Sequence, residues 1–261
     1  MTTTYATYMR IADNLDQYST LTSKKTDVAT ATKYYEENIG NIKSVDDFVG
    51  NDRIFRYAMK AYGLEDMTYA KAMVKKVLTE GTTDSKSLAN TLSDKRFLAL
   101  AKAFAFATNG EDTTSQTSVT TNTVTNYVRQ SLEDNAADEN AGVQLALYFA
   151  RKASSVTSAY GILADSKLLK VVQTTLGISE MTSYQDIDKQ ASMISAMMDV
   201  TDLQDPEKVQ KFLGRFTATY DATNSSSAAS SDTALLFQTT SDVGISTDIL
   251  SSLQGLRLGG W

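Results

Sequence analysis

Paired carboxylates are the side chains in this sequence with the most obvious capacity for chemistry, because the chain contains no His and no Cys. Adjacent acids occur at Glu36 and Glu37 and at Asp46 and Asp47, and a longer acidic run spans Glu133–Asn140. None of these groups has the spacing of the oxygen ligands in an EF-hand loop. Adjacent residues on a helix point in different directions, so these pairs do not face each other. We therefore interpret them as solvated acidic faces.

The missing residue types exclude several classes of active site. Without His or Cys there is no Ser-His-Asp triad, no Cys-His pair and no ordinary zinc site. The terminal "GLRLGGW" has no strand before it and no helix after it, so it is not a nucleotide-binding fingerprint. We predict that the protein is not an enzyme and that it uses no cofactor and no metal.

Net charge and hydropathy limit the classes of partner that the protein is expected to bind. The formal net charge is −6 and no basic stripe is visible, which argues against nucleic acid. No stretch approaches the roughly 18 apolar residues of a membrane span, so membrane insertion is not expected. The N-terminal sequence lacks the basic end and the apolar run of a cleaved signal peptide. We expect a soluble protein whose partners are other proteins, in an oligomeric state that the sequence does not define.

The elements that must position any site are predicted to be helices. Apolar residues recur at helical spacing throughout the chain, and a single Pro, Pro206, interrupts it. The clearest stripes are Phe48, Phe55, Met59 and Tyr62; Ala70, Met73, Val74, Val77 and Leu78; and Ile187, Ala191, Ile194 and Met198. The sequence predicts an all-α, multi-helix fold.

A pattern around Gly63 recurs around Gly177. Met67 and Thr68 follow the first glycine at the same distance as Met181 and Thr182 follow the second, and the apolar register holds without a gap from residue 34 to residue 68. We predict that each glycine ends a helix in the left-handed conformation, and that Asp66 or Thr68 caps the next helix. The pattern favours two pseudo-repeated helical halves joined by Ser/Thr-rich segments. The alternative is coincidence between two amphipathic helix-turn-helix segments.

This repeat divides the chain into four parts. Residues 1–107 form the first helical half and residues 126–222 the second, with a Ser/Thr-rich linker at residues 108–125. Residues 223–261 combine a second Ser/Thr-rich segment with a C-terminal amphipathic helix and tail. The Ser/Thr-rich segments are interpreted as flexible surface linkers, with ordering against a neighbouring subunit as the alternative.

Methionines offer one further candidate surface. Met193, Met197 and Met198 could form an adaptable binding groove, although filling of the core is the favoured interpretation.

The segment from Asp46 to Phe106 resembles a bacterial family of unknown function, the domain-of-unknown-function family 1217. The residues that carry the resemblance are Phe55, Tyr57, Ala58, Ala61, Gly63, Leu64, Asp66, Ala70, Val77 and Leu78, followed by Leu88, Ala89, Asp94, Lys95, Phe97 and Phe104. Members of that family are typically found in flagellar gene clusters. The family has no established catalytic residues, so the resemblance implies none here.

The resemblance implies a structural or assembly protein of the bacterial flagellum, associated with the flagellum and exported without a cleaved signal. Flagellar axial proteins pack amphipathic helices from both chain ends against each other. By analogy, the candidate interface comprises the stripes Tyr5, Tyr8, Met9, Ala12 and Leu15 near the start and Ile245, Ile249, Leu250 and Leu253 near the end. Trp261 is either a docking residue or an untethered tail.

Two other functions stay open. One is a cytoplasmic chaperone or regulator that binds a flagellar export substrate. The other is a small-molecule binding module that uses an apolar cleft between the two halves.

Overall fold

The computed structural model describes residues 3–238 of the chain, with side chains as far as residue 224. Every regular element in that range is a helix, which confirms the predicted all-α, multi-helix fold. The chain forms two compact units, Met1–Tyr220 and Asp221–Trp261. The described part of the second unit is the C-terminal portion of one long helix.

Nine helices and their connecting turns lie within the first 110 residues. They are α1 (Thr4–Asp13), α2 (Leu15–Ser23), α3 (Thr26–Asn38), α4 (Val45–Gly50), α5 (Asp52–Ala61), α6 (Lys71–Glu80), α7 (Leu88–Thr91), α8 (Lys95–Ala103) and α9 (Phe106–Asn109). Short 3-10 helices occupy Ile39–Asn41, Glu65–Met67 and Gly110–Ser115.

The remaining described helices run from residue 121 to residue 238. They are α10 (Thr121–Glu139), α11 (Ala141–Lys152), α12 (Ala159–Leu163), α13 (Ser166–Leu176), α14 (Ile187–Met197) and α15 (Pro206–Gln238). Three more 3-10 helices occupy Ala153–Ser155, Glu180–Tyr184 and Val200–Gln204.

Side-chain caps set where several helices begin. Ser44 and Ser158 cap α4 and α12, and Asn51 and Asp165 cap α5 and α13 by accepting hydrogen bonds from amides of the first turn. Pro206 is the first residue of α15, where its missing N–H costs nothing.

The first of two apolar clusters in the unit Met1–Tyr220 is built mainly from α3 to α9. Phe48 lies at its centre, with its ring centroid 4.8 Å from that of Phe104 and 5.8 Å from that of Phe55. Val119, from the Ser/Thr-rich segment 108–125, is fully buried in this cluster, and its carbonyl accepts a 2.6 Å hydrogen bond from Tyr35. That part of the segment is therefore packed into the fold.

The second apolar cluster is built from α10 to α14, the start of α15 and the N-terminal helix α1. Tyr8 and Ile11 of α1 are buried in it beside Leu147 and Phe216. Asn140 Nδ2 donates a 2.8 Å hydrogen bond to Thr4 Oγ1, which fixes α1 against the start of α11. Helix α1 therefore packs against the second helical half, whose residues lie more than 100 positions later in the chain.

Helix ends in the two halves correspond in the same register as the sequence pattern. The capping residues Ser44 and Ser158, the stops Gly63 and Gly177, and the 3-10 helices that follow both stops occur in the same order. Equal order of elements is consistent with a repeat, and an internal duplication stays a prediction.

Candidate functional site

The predicted helix stops have closely similar geometry. Gly63 has φ 75° and Gly177 has φ 69°, a left-handed conformation that favours glycine. In each case the next amide, Leu64 N or Ile178 N, bonds the carbonyl five residues back at 2.7 or 2.9 Å. This 6→1 hydrogen bond is the mark of a Schellman motif.

The residues after the stops make corresponding contacts but differ in exposure. Thr68 Oγ1 donates to the carbonyl of Glu65, and Thr182 Oγ1 donates to that of Ser179. Met67 is half-buried against the first cluster, whereas Met181 is 74% exposed.

The expectation that Asp66 or Thr68 caps the next helix is wrong. The cap position of α6 is Ala70, which makes no side-chain cap. Asp66 instead accepts a hydrogen bond from Arg96, and Thr68 is occupied by the carbonyl of Glu65, so neither is available to the free amides of α6.

The N-terminal candidate interface lies largely against the second apolar cluster. Tyr8 is buried, Met9, Ala12 and Leu15 are half-buried against it, and Tyr5 is the exposed member. The C-terminal candidates Ile245, Ile249, Leu250, Leu253 and Trp261 lie outside the described residues.

Charged side chains and one tyrosine meet where the two apolar clusters adjoin, and we call this group the polar seam: Lys60, Asp94, Arg96, Arg129, Glu133, Asp134, Tyr148, Arg151, Asp165 and Lys167. Arg96 is its most connected member. The guanidinium bonds Asp94, the carbonyl of Gly63 at 2.5 Å and the carbonyl of Ala164 at 3.4 Å. Burial alone would lower the pKa of Arg96, but the bonds to Asp94 and the charges of Asp165 and Asp94 raise it above its usual value.

Within the polar seam, Tyr148 contacts both Asp165 and Arg151. Its hydroxyl donates a 2.6 Å hydrogen bond to Asp165 Oδ2, and the guanidinium of Arg151 lies 5.2 Å from its ring centroid. Burial, reinforced by the neighbouring charge of Asp165, raises the pKa of Tyr148 well above its usual value. The phenol therefore remains protonated and serves as a hydrogen-bond donor.

The interpretation of the acidic run Glu133–Asn140 as a solvated face is wrong for Glu133. Its carboxylate is fully buried and accepts hydrogen bonds from Arg129 at 3.0 Å and from Arg151 at 2.7 and 2.6 Å. Local spacing reveals Arg129, four residues earlier on α10, but it does not reveal Arg151 on α11. By contrast, Glu36, Glu37, Asp46 and Asp47 are exposed, as the same interpretation predicts.

Asp134 links the halves a second time. It lies 2.9 Å from Lys60 Nζ of α5 and 3.6 Å from Lys167 Nζ of α13. Burial would raise the pKa of Asp134, but the hydrogen bond and charge of Lys60 and the charge of Lys167 lower it below its usual value. The seam is therefore a set of mutually satisfied ion pairs, an arrangement that fixes how helices pack.

Lys152 lies at the edge of the seam. Burial, together with the nearby charge of Arg151, lowers the pKa of its amine from 10.5 to about 8. It lines a cavity of about 20 Å³ together with Asp94, Arg96 and Asp165, which is room for one water molecule. A cavity of this size does not admit a substrate.

Large apolar side chains are exposed on and just before α14, and we call this set the α14 surface. It comprises Met181 (74% exposed), Tyr184 (90%), Ile187 (57%) and Met197 (49%). Large exposed apolar side chains are the kind of group that a protein-protein contact buries. The favoured sequence interpretation placed Met197 in the core, whereas in the structure it is 49% exposed.

A groove of about 770 Å³ borders the α14 surface. It runs between α12 and α14 and is lined by Tyr160, Ser192, Ser195, Ala196 and Met197, among others. The hydroxyl of Tyr160 donates a 2.7 Å hydrogen bond across this region to Asp188 Oδ1. Small residues on α14 leave the groove open, so it offers apolar contact together with hydroxyl groups.

One acidic residue lies in the groove lining. Asp199 lines it, and hydrogen bonds from the hydroxyl and amide of Thr201 lower the pKa of Asp199. Among the residues that the structure describes, no group of three or more acidic side chains is placed to hold a metal ion.

Comparison with known proteins places the chain among proteins of unknown function. Residues 61–209 match the family described as "Protein of unknown function (DUF1217)". A crystal structure of the protein AGR_C_984 from Agrobacterium tumefaciens is similar, with 46% sequence identity, a TM-score of 0.74, and coverage of 85% of this chain and 94% of that one. None of the curated proteins matches the chain. Within the described residues, no helix is both long and apolar enough to cross a membrane.

Proposed function

The chain belongs to the DUF1217 family, and we propose that it is a non-enzymatic structural or assembly protein of the bacterial flagellum that acts through protein-protein contacts. The observation that carries the contact role is the α14 surface, where Met181, Tyr184 and Ile187 are each more than half exposed. Burying such side chains against a partner removes apolar surface from water, which favours association. The flagellar setting rests on the family resemblance.

The polar seam supports a role in contacts over one in catalysis. Its charged side chains are held by each other, as the bonds of Glu133 to Arg129 and Arg151 illustrate. Because paired charges fill the contact between the two apolar clusters, the alternative of a ligand in an apolar cleft there receives no support.

The proposal is tested by motility and localisation. A clean deletion should reduce swimming, and tagged protein should occur in purified hook–basal bodies or in the medium of wild-type cells but not of an export-defective strain. Normal motility and normal filaments in the deletion strain would overturn the flagellar role.

Surface variants test whether the contact role depends on the α14 surface. The pair Tyr184→Ser and Ile187→Ser should reduce swimming without lowering thermal stability. Leu21→Ser and Tyr69→Ser form the matched control, because both residues are also strongly exposed but lie elsewhere. Equal swimming by the two double variants would count against the α14 surface.

A cytoplasmic chaperone or regulator of an export substrate is the second candidate. The observation that favours it is the groove beside Met197 and Met198, since methionine-lined surfaces adapt to several sequences. It predicts a stable cytosolic complex with one export substrate, in both wild-type and export-defective cells. Recovery of the protein solely from hook–basal bodies or medium would exclude it.

A further inference from the structure

A second groove, of about 630 Å³, is lined by the helices α2, α10 and α11, and we call it the α2 groove. Its apolar walls are formed by Leu15, Val124, Val128 and Ala150. The guanidinium groups of Arg129 and Arg151 line it as well. Pockets of roughly 300–1,000 Å³ with apolar walls and a few convergent polar groups are typical of sites for small molecules. The α2 groove has this size and this composition.

Arg129 has hydrogen-bond donors that the fold leaves unused. Its Nε donates to Glu133 Oε1 at 3.0 Å, but Nη1 and Nη2 donate to no group that the structure describes. Nη1 of Arg151 is unused in the same sense. The Arg129 side chain is only 14% exposed, so few of its N–H groups can be satisfied by bulk water. An anion in the groove would gain charge-assisted hydrogen bonds from these donors.

Positive charge is in excess at this end of the polar seam. Arg129 and Arg151 share one carboxylate, that of Glu133, and the adjacent Asp134 likewise pairs with two lysines. Four cations therefore face two carboxylates here, although the whole chain has a net charge of −6. An anion from outside the chain would offset this local excess.

Asp16 is the carboxylate in the lining of the α2 groove. It is exposed in the first turn of α2, and within the described range it forms no ion pair with Arg129 or Arg151. Water screens the charge of an exposed carboxylate, so Asp16 does not neutralise the guanidinium groups. The seam fills the contact between the two apolar clusters, whereas the α2 groove borders the seam on the side where α2 forms a wall.

We propose that the α2 groove binds a small carboxylate ion with an apolar body. The carboxylate accepts hydrogen bonds from the Nη groups of Arg129, and the apolar body lies against Leu15 and Val128. Because the guanidinium is largely buried, a compact ion reaches it more readily than a side chain on the surface of another protein does. This binding activity is additional to the contact function proposed for the α14 surface and does not depend on it.

Octanoate is the probe, and isothermal titration calorimetry of the full chain is the measurement. Octanoate should bind in a saturable manner with a dissociation constant below about 1 mM. Octylammonium has the same apolar body and the opposite charge, and acetate has the charge without the body. Each control should bind at least about tenfold more weakly, because the site requires both the anion and the apolar contact.

Two variants on neighbouring positions of α2 test the location of the site. Thr20 is exposed and lines the groove, whereas Leu21 is 57% exposed and does not line it. Thr20→Trp should fill the groove and weaken octanoate binding by at least about tenfold, while Leu21→Trp should leave it within about twofold of the wild type. Both should keep the wild-type melting temperature, so a loss of binding does not reflect unfolding.

Arg129→Gln tests the donor, and circular dichroism checks that the variant is folded. Because this change also affects the buried pair with Glu133, Thr20→Trp decides the matter if Arg129→Gln does not fold. In the folded variant, octanoate binding should weaken by at least about tenfold, the loss expected when hydrogen bonds to a charged group are removed.

Three results would overturn the proposal. These are an absence of saturable octanoate binding, octylammonium binding as tight as that of octanoate, and octanoate binding that Thr20→Trp leaves unchanged. Tighter binding of an oligoglutamate peptide than of octanoate would also overturn it, by assigning the groove to an acidic segment of a partner protein. The test does not involve motility, so its failure leaves the proposed flagellar role standing, and normal swimming of the deletion strain leaves the anion site standing.

Discussion

Tyr148 donates a 2.6 Å hydrogen bond to Asp165, the residue that also caps α13, so one buried contact joins α11 to the start of a neighbouring helix. Asp165 lies 3.7 Å from Arg96 of the first cluster, which extends the contact across both halves. Polar contacts, as well as apolar burial, therefore fix the packing of the two apolar clusters against each other.

Removal of this hydroxyl should destabilise the protein. Tyr148→Phe removes one of the hydrogen bonds to the buried Asp165 carboxylate, and we expect the free energy of unfolding to fall by about 1.5–3 kcal/mol. Tyr160→Phe is the matched control, because Tyr160 makes a 2.7 Å bond to Asp188 at the surface, and it should change stability by less than about 0.5 kcal/mol. Urea unfolding checks both, and equal effects would show that burial does not strengthen the Tyr148 bond.

A second comparison concerns two ion pairs of the same helical spacing. Glu133→Gln leaves Arg129 and Arg151 without a buried counter-charge, and we expect a loss of about 3–5 kcal/mol. Glu37→Gln breaks the exposed pair with Lys33 at 3.8 Å and should cost no more than about 0.5 kcal/mol. Thermal melts at low and high salt provide the measurement. A loss in Glu133→Gln that salt removes would contradict the buried pairing.

The two helix stops should respond differently to alanine. Gly177→Ala should cost about 1–2 kcal/mol for the left-handed conformation, since nothing lies within 4 Å of the added Cβ. Gly63→Ala should cost at least about 1 kcal/mol more, because the new Cβ would lie 3.1 Å from the Tyr148 hydroxyl. Urea midpoints of the two variants decide this, and equal losses would mean that Tyr148 moves freely.

Lys152 should make stability depend on pH in the alkaline range. Below pH 8 its amine is charged in both states, and above pH 10.5 it is neutral in both. Between these values the unfolded chain holds a proton that the native protein has released, so raising the pH favours the native state. The stability of the wild type relative to Lys152→Met should therefore rise by about 1–3 kcal/mol from pH 8 to 10.5. A flat difference across this window would contradict the lowered pKa of Lys152.

Sequence reasoning succeeded where local spacing decides the structure. Of the predicted stripe, Val74, Val77 and Leu78 are buried and Ala70 and Met73 are half-buried, because a helix can bury one face against any neighbour. The helix stops Gly63 and Gly177 adopt the left-handed conformation for an equally local reason.

The polar seam and the α14 surface were not predictable in the same way. Arg96 and Asp165 are 69 residues apart (165 − 96), and nothing in their immediate sequence marks them as partners. Burial of Ile194 and exposure of Met197 likewise depend on which helices cover α14. Such features depend on how the helices assemble in space. The periodicity of the sequence carries no information about that assembly.

The position of α1 has a consequence for synthesis of the chain. The hydrogen bond between Thr4 and Asn140 cannot form until Asn140, 136 residues later in the chain, has been synthesised. At 5–20 residues per second, ribosomes need roughly 7–27 s to make the intervening chain. The first apolar cluster can form during this interval while Tyr8 and Ile11 still lack their native neighbours. Helix α1 is thus made well before the residues that bury it, and it remains open to chaperones or other binding proteins in the meantime.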